Sequence, residues 1–112
     1  MAVIAVLTNL PDSESAFNVA RTVVERRLAA CANVMAPATS FFRWQGRLDE
    51  ATEVPVLFKT TADRYPELER AIRELHPYDL PEIIAFDVAR GLPAYMGWVE
   101  AECKPPAQES SP

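Results

Sequence analysis

The stretch Thr39-Ser40-Phe41-Phe42-Arg43-Trp44-Gln45, with Thr52-Glu53-Val54-Pro55-Val56-Leu57-Phe58-Lys59-Thr60 after it, decides the fold. Both halves are rich in aromatic and β-branched residues, and Gly46 to Glu50 lies between them as the turn, so the pair reads as one long hairpin. In the second half Val54, Val56 and Phe58 alternate with Glu53, Pro55, Leu57 and Lys59, which sends the two sets to opposite faces of a sheet. Proline has no N–H to give a ladder, so Pro55 belongs at an edge, at a bulge or where the partner strand has left.

Working outward, Ala2 to Thr8 is a continuous apolar run, read as an internal strand, and Asn9-Leu10-Pro11-Asp12 is a turn able to cap the next helix. Over Ser13 to Leu28 the residues Phe17, Ala20, Val24 and Leu28 recur at helical spacing, with Glu14, Arg21 and Glu25 elsewhere on the wheel. Arg26-Arg27 follows at the helix end, where cations offset the dipole. Beyond the hairpin, a second helix runs from Thr61 or Ala62 to Leu75, with Pro66 in its first turn and Tyr65, Leu68, Ile72 and Leu75 as its buried stripe. Ile83 to Val88 reads as a further strand. Gly91-Leu92-Pro93 opens a short helix to about Glu102, apolar at Leu92, Tyr95, Met96 and Val99.

The order is β-α-β-β-α-β plus a terminal helix, a ferredoxin-like α+β sandwich with both long helices on one face of a four-stranded antiparallel sheet. The other face has at most the terminal helix to cover it, yet its strands are apolar on both sides, so a homo-oligomer is expected.

With 112 residues, 49% apolar and 24% charged, the chain makes one domain, placed at residues 1–104, and Pro105 to Pro112, which has no apolar period, reads as a mobile tail. Sixteen acidic against eleven basic residues, with the arginines scattered, disfavour a nucleic-acid surface. The opening Met-Ala-Val-Ile-Ala-Val-Leu-Thr has no positive leader and is too short for a membrane span, so a cytoplasmic location is expected, with Cys31 and Cys103 as free thiols.

The segment His76-Pro77-Tyr78-Asp79-Leu80-Pro81-Glu82 holds the only histidine, between the second helix and the last strand. Imidazole can bind a metal ion or move a proton, and a loop histidine is also commonly a plain hydrogen-bonding residue. Tyr78 and Glu82 stand beside it.

Ala29-Ala30-Cys31-Ala32-Asn33, Trp44-Gln45-Gly46-Arg47-Leu48, Glu53-Val54 with Lys59-Thr60, His76-Pro77-Tyr78 with Pro81-Glu82, and Tyr95 with Trp98 occur in an order and spacing that resemble the CutA divalent-cation tolerance family from about Val3 to Glu102. The resemblance implies a trimer similar to the PII signalling proteins, in which hairpins reach to neighbouring subunits and clefts form at the borders. It also implies tolerance to copper and other divalent metals. Copper-binding members can carry a second histidine at the position of Leu75 and a cysteine at that of Thr8. Of that set this chain keeps His76 alone.

One histidine per chain falls short of the three or four ligands a metal site needs, so copies related by symmetry would have to supply the rest, with His76 and Cys31 as candidate metal ligands. The plainer reading of Cys31 is a buried apolar thiol that packs without reacting. Trp44, Glu53, Lys59, Tyr78 and Glu82 are the candidates for a ligand cleft, Glu53 and Lys59 being open also to cross-subunit ion pairing and Trp44 to packing. A Cys31–His76 thiolate pair or a His76–Glu82 acid–base pair would be needed for catalysis. No phosphate loop or nucleophile elbow accompanies them, and a non-enzymatic protein without an obligatory cofactor is expected. The rival to a metal or small-ligand binder is a trimeric scaffold or regulatory subunit that binds another protein.

Overall fold

The computed structural model describes residues 2–105. Along the chain run β1 (Val3–Leu10), α1 (Ser13–Glu25), β2 (Cys31–Val34), β3 (Ala38–Trp44), β4 (Arg47–Thr61), α2 (Tyr65–Leu75), β5 (Ile83–Asp87) and α3 (Pro93–Glu102), with a single 3₁₀ turn, Ala62–Arg64, leading into α2. The tail from residue 106 lies outside the described residues.

The sheet is antiparallel in the order β2-β4-β1-β5, with β3 on the outer half of β4. This is the expected ferredoxin-like sandwich, but with five strands rather than four. Cys31–Val34 forms a strand of its own, which the small residues of Ala29 to Ala32 conceal in the sequence, and it shares the edge position with β3.

Pro55 sits at the break between those two pieces. Val34 pairs with Val56 and Ala38 with Glu53, and between them the Met35 N–H donates to the Pro55 carbonyl at 2.9 Å. Carbonyl and nitrogen of one strand residue point to the same edge, so the missing N–H of Pro55 faces the interruption and costs the ladder nothing.

The turn is shorter than the sequence suggests. Gln45 and Gly46 both have positive φ, 50° and 78°, and Trp44 pairs directly with Arg47, so a two-residue turn of primed type closes the hairpin and Arg47 to Glu50 belong to β4. β1 likewise runs on through Asn9 and Leu10, because both still pair with β4.

The even positions of β1 and β4, among them Ile4, Val6, Leu10, Val54, Val56 and Phe58, build the main core with α1 and α2. Its α1 face is Ala16, Val19, Ala20 and Val23, an i, i+3, i+4, i+7 set whose two alanines let the helix sit close to the sheet. Phe17 and Val24, expected in that stripe, are exposed. The helix also stops at Glu25 instead of Leu28. Arg27 takes φ 59°, its N–H reaches the Val24 carbonyl and the Leu28 N–H reaches that of Val23, a Schellman closure with arginine where glycine is usual. In α2 the expected stripe holds: Leu68 and Ile72 are fully buried, and Tyr65 and Leu75 partly so.

Odd positions look the other way. Val3 packs with Ala30, Val99 and Cys103, joined by Val88 and Met96, so α3 covers one end of the second sheet face. The inner side of α3 is therefore Met96, Val99 and Cys103; Leu92 and Tyr95, expected there, are exposed. Beyond α3 the face is open, with Ile84 44% and Phe86 51% exposed opposite Leu7 and Ala5. The hairpin beyond Glu53 also projects, carrying exposed Phe41, Trp44 and Leu48, in a molecule 57 Å long.

Candidate functional site

α2 ends at His76, whose backbone turns extended (φ −81°, ψ 134°) while its N–H still reaches the Ile72 carbonyl. Pro77 enforces that exit, since the residue before a proline avoids helical geometry. The imidazole is thereby carried under the end of β1. Nε2 lies 2.6 Å from the Asn9 carbonyl oxygen and the Tyr78 N–H donates to Nδ1 at 3.2 Å. A carbonyl only accepts, so Nε2 bears the hydrogen and the ring is the neutral Nε2–H tautomer.

There is a reason for a ring at this place. Pro55 opposite Asn9 has no N–H and gives its carbonyl to Met35, so the polar groups of Asn9 point away from β4, where β5 begins only opposite Thr8. His76 satisfies the acceptor that the sheet leaves over. His76 is 7% exposed, and burial pushes its pKa below 6.5 against the Asn9 bond and the Glu53 charge, which favour the proton. Ligation through either nitrogen would break one of its two bonds.

Tyr78 stacks tilted on His76, ring centroids 4.7 Å apart, and its hydroxyl donates to Glu53 Oε2 at 3.3 Å. Burial, then the Glu53 charge and that bond, hold the phenol above its ordinary pKa. Asp12 adds a weaker push. Its own carboxylate caps α1 through the Ser15 N–H at 2.8 Å, the bond that lowers its pKa. Glu53, His76 and Tyr78 thus come together, bound to Asn9, which sequence reasoning passed over because only its backbone takes part.

The other expected residues lie apart. Glu82 is exposed. Lys59 shares a face with Glu53, as expected, but six residues away, roughly 20 Å along the strand, and its ammonium is held by the Asn33 side chain. Trp44, 46% exposed at the hairpin tip, pairs with Arg47, which is again six residues from Glu53. Cys31 is opposite Lys59 and its thiol is 3.6 Å from the Tyr95 hydroxyl, whose ring lies 5.6 Å from that of Trp98. Tyr95 and Trp98 form a half-exposed pair, with Tyr95 against Cys31 of β2. The Cys31 and Asn9 positions are four residues apart along β4, about 13 Å, so one copy does not bring Cys31 to His76. Among the described residues no three of His, Cys, Asp and Glu gather as a metal site, and both cysteines are free. No described helix is long and apolar enough to cross a membrane.

Comparison with known proteins places this geometry. The family model described as CutA1 divalent ion tolerance protein matches residues 4–102. The divalent-cation tolerance protein CutA of Thermus thermophilus is 43% identical over 94 residues, 84% of this chain and 91% of that protein. The mouse protein CutA is 40% identical over 98 residues, 88% of this chain and 55% of that longer protein. Among solved structures, CutA of Xylella fastidiosa superposes with a TM-score of 0.90 at 38% identity, covering 93% of this chain and all of that one. The protein of Archaeoglobus fulgidus, named a periplasmic divalent cation tolerance protein, superposes with a TM-score of 0.88 at 30% identity, over 91% and 99% of the two chains. By family model, sequence and fold together, the chain belongs to the CutA1 divalent ion tolerance family.

Proposed function

We propose that the protein serves divalent-cation tolerance as a homotrimer in which each copy covers the open sheet face of the next, and that its ligand site is a cleft at the border between copies, floored by the Tyr78–Glu53 pair. The observation that carries this reading is the open face itself. Ile84 and Phe86 stand about half exposed on the face that Glu53 shares, and apolar area of that kind is driven to find a cover. A hairpin crossing to a neighbour would bring Trp44 to a cleft that its own chain cannot reach.

The occupant is a small ligand or a divalent ion such as copper. No single copy gathers enough donors, so an ion would draw on more than one, with Cys31 and the exposed carboxylate of Glu82 as the groups that remain available. In this reading His76 organises the cleft by placing Tyr78. The protein works in the cytoplasm, where its thiols stay reduced, and it acts without catalysis.

Sedimentation velocity tests the assembly, and thermal shift with copper, zinc, magnesium, nucleotides and organic anions tests the cleft, because a ligand of the folded state raises the melting temperature. The expected result is a trimer stabilised by at least one of these, with the gain lost in Glu53→Gln for a cleft ligand or in Cys31→Ser for a metal. A compact monomer overturns the reading. A trimer indifferent to every compound favours the scaffold that binds a protein partner.

A further inference from the structure

We propose that the groove between the end of α1 and the first half of α2 binds a small phosphate-bearing anion, held by Arg26, Arg64 and Arg70. The groove encloses about 260 Å³ on the helical side of the sheet, away from the face that a neighbouring copy would cover. Far apart in sequence, the three arginines reach one place because of how α1 ends. Arg27, in left-handed backbone, turns Leu28 into the core, where Leu28 and Ala71 form the apolar floor. Arg26 is left on one side of that floor. On the other, Glu67, Ala71 and Glu74 follow Arg64 at spacings of three, seven and ten residues, a single stripe of α2 and its lead-in turn, with Arg70 flanking it.

Arg64 is the preorganised part of the site. It is 9% exposed, a degree of burial that arginine reaches only when its donors are placed. Nε donates to the Arg27 carbonyl at 3.4 Å and Nη1 to Glu67 Oε1 at 3.1 Å, which fixes the plane of the guanidinium. Nη2 makes no hydrogen bond among the described residues and is not sealed from solvent, so its two N–H groups remain for a guest. Arg26 and Arg70 are exposed, and among the described residues neither has an ion-pair partner. Three guanidinium groups against two carboxylates leave the groove positive in a chain of net charge −5. Guanidinium forks match the oxygens of a phosphate, and its charge of about −1.5 to −2 near neutral pH exceeds that of the one carboxylate, Glu67, already on Arg64. The volume falls just below the roughly 300–1,000 Å³ of pockets for drug-sized ligands, so the guest is small. Glu67 and Glu74 turn away a long polyanion such as nucleic acid and can accept from the hydroxyls of a phosphate ester. The groove shares no residue with the Tyr78–Glu53 cleft and needs only one copy of the chain.

Isothermal calorimetry on the full-length protein tests the site, with inorganic phosphate and glycerol phosphate as titrants and sodium chloride of equal ionic strength as the control. The expected result is saturable binding at one site per chain, weakened about fivefold or more by Arg26→Gln and by Arg70→Gln. Both positions are exposed, so these changes leave the fold intact. Glu67→Gln should act in the opposite direction and tighten binding, since it removes the charge that competes for Arg64. Tighter binding of glycerol phosphate than of inorganic phosphate assigns the guest as an ester, and equal binding assigns it as free phosphate. The proposal is overturned by an absence of saturable binding beyond the chloride control, by binding that both arginine variants leave unchanged, or by binding that Glu67→Gln weakens. Loss in Glu53→Gln alone would put the anion in the border cleft and overturns it too. A border cleft that binds nothing leaves all of these readouts as they are.

Discussion

Arg27, just past the end of α1, closes the C-terminus of α3: its Nε and Nη2 donate to the main-chain carbonyls of Glu102 and Ala101, each at 3.2 Å. The residue that terminates one helix through a left-handed backbone therefore caps another at the far end of the chain. The same residue's own carbonyl accepts from Arg64 Nε at 3.4 Å.

Those two duties can be separated by substitution. Arg27→Ala loses the cap and keeps the strain of φ 59°, whereas Arg27→Gly loses the cap but relaxes the backbone. Alanine should therefore cost about 1–2 kcal/mol, and glycine about 1 kcal/mol less than alanine. Denaturant unfolding gives both values, and hydrogen exchange should place the loosening in α3. Equal costs would mean that the left-handed residue stores no strain.

Among the described residues two buried hydroxyls lack a protein partner, Thr8 Oγ1 on β1 and Thr61 Oγ1 opposite Val3 at the end of β4, while Thr60 Oγ1 donates to the Leu28 carbonyl at 2.7 Å. Thr8→Val removes an unsatisfied group at nearly constant volume and should stabilise by about 1 kcal/mol; Thr60→Val should destabilise by about as much. Melting temperatures of the two variants, side by side, check the contrast in sign.

Phe86 and Ile84 are the test of the covered face. Burying a side chain of this size contributes about 1.5–3 kcal/mol, so Phe86→Asp should weaken association by tenfold or more per contact and shift the sedimentation coefficient toward that of a single copy. Phe17→Asp on the helical side makes the control. If it dissociates the assembly equally, the sheet face is not the seat of association.

The depressed pKa of His76 fixes the sign of one pH dependence. As pH falls below 6.5 the unfolded imidazole takes a proton that the folded ring resists, so the unfolded state binds more protons and stability falls. The His76 contribution is complete above that value and is lost progressively in acid. Tyr78 acts at the other end: its raised pKa makes the folded phenol hold its proton longer than the unfolded one, so stability falls again as pH rises past the ordinary value of 10.0. Urea midpoints across the pH range should show both limbs, the acid one shallower in His76→Asn and the alkaline one shallower in Tyr78→Phe.

Alternation along Glu53 to Lys59 sorted the two faces of β4 correctly because the side-chain period of a strand is a local property. Leu68, Ile72 and Leu75 marked the inner side of α2 for the equivalent reason. The phase of α1 was not legible. Phe17 and Val24 satisfy helical spacing as well as Ala16 and Ala20 do, and which stripe turns inward depends on how closely the sheet lets the helix approach. The split edge strand was hidden as well: Cys31 to Val34 carries no run strong enough to announce a strand, and it becomes one by pairing with β4.

By itself, then, the sequence determined the order of elements, the hairpin, the two faces of the sheet and the family, all set by neighbours within a few residues or by motif order. The tertiary structure alone decided what His76 does. Nothing local tells that its ring must answer a carbonyl 67 residues earlier; that need arises where Pro55 and the late start of β5 leave the Asn9 carbonyl without a strand donor. A backbone acceptor stranded at a sheet edge is a property of the assembled sheet, and the residue that satisfies it can be recognised only once the sheet is formed.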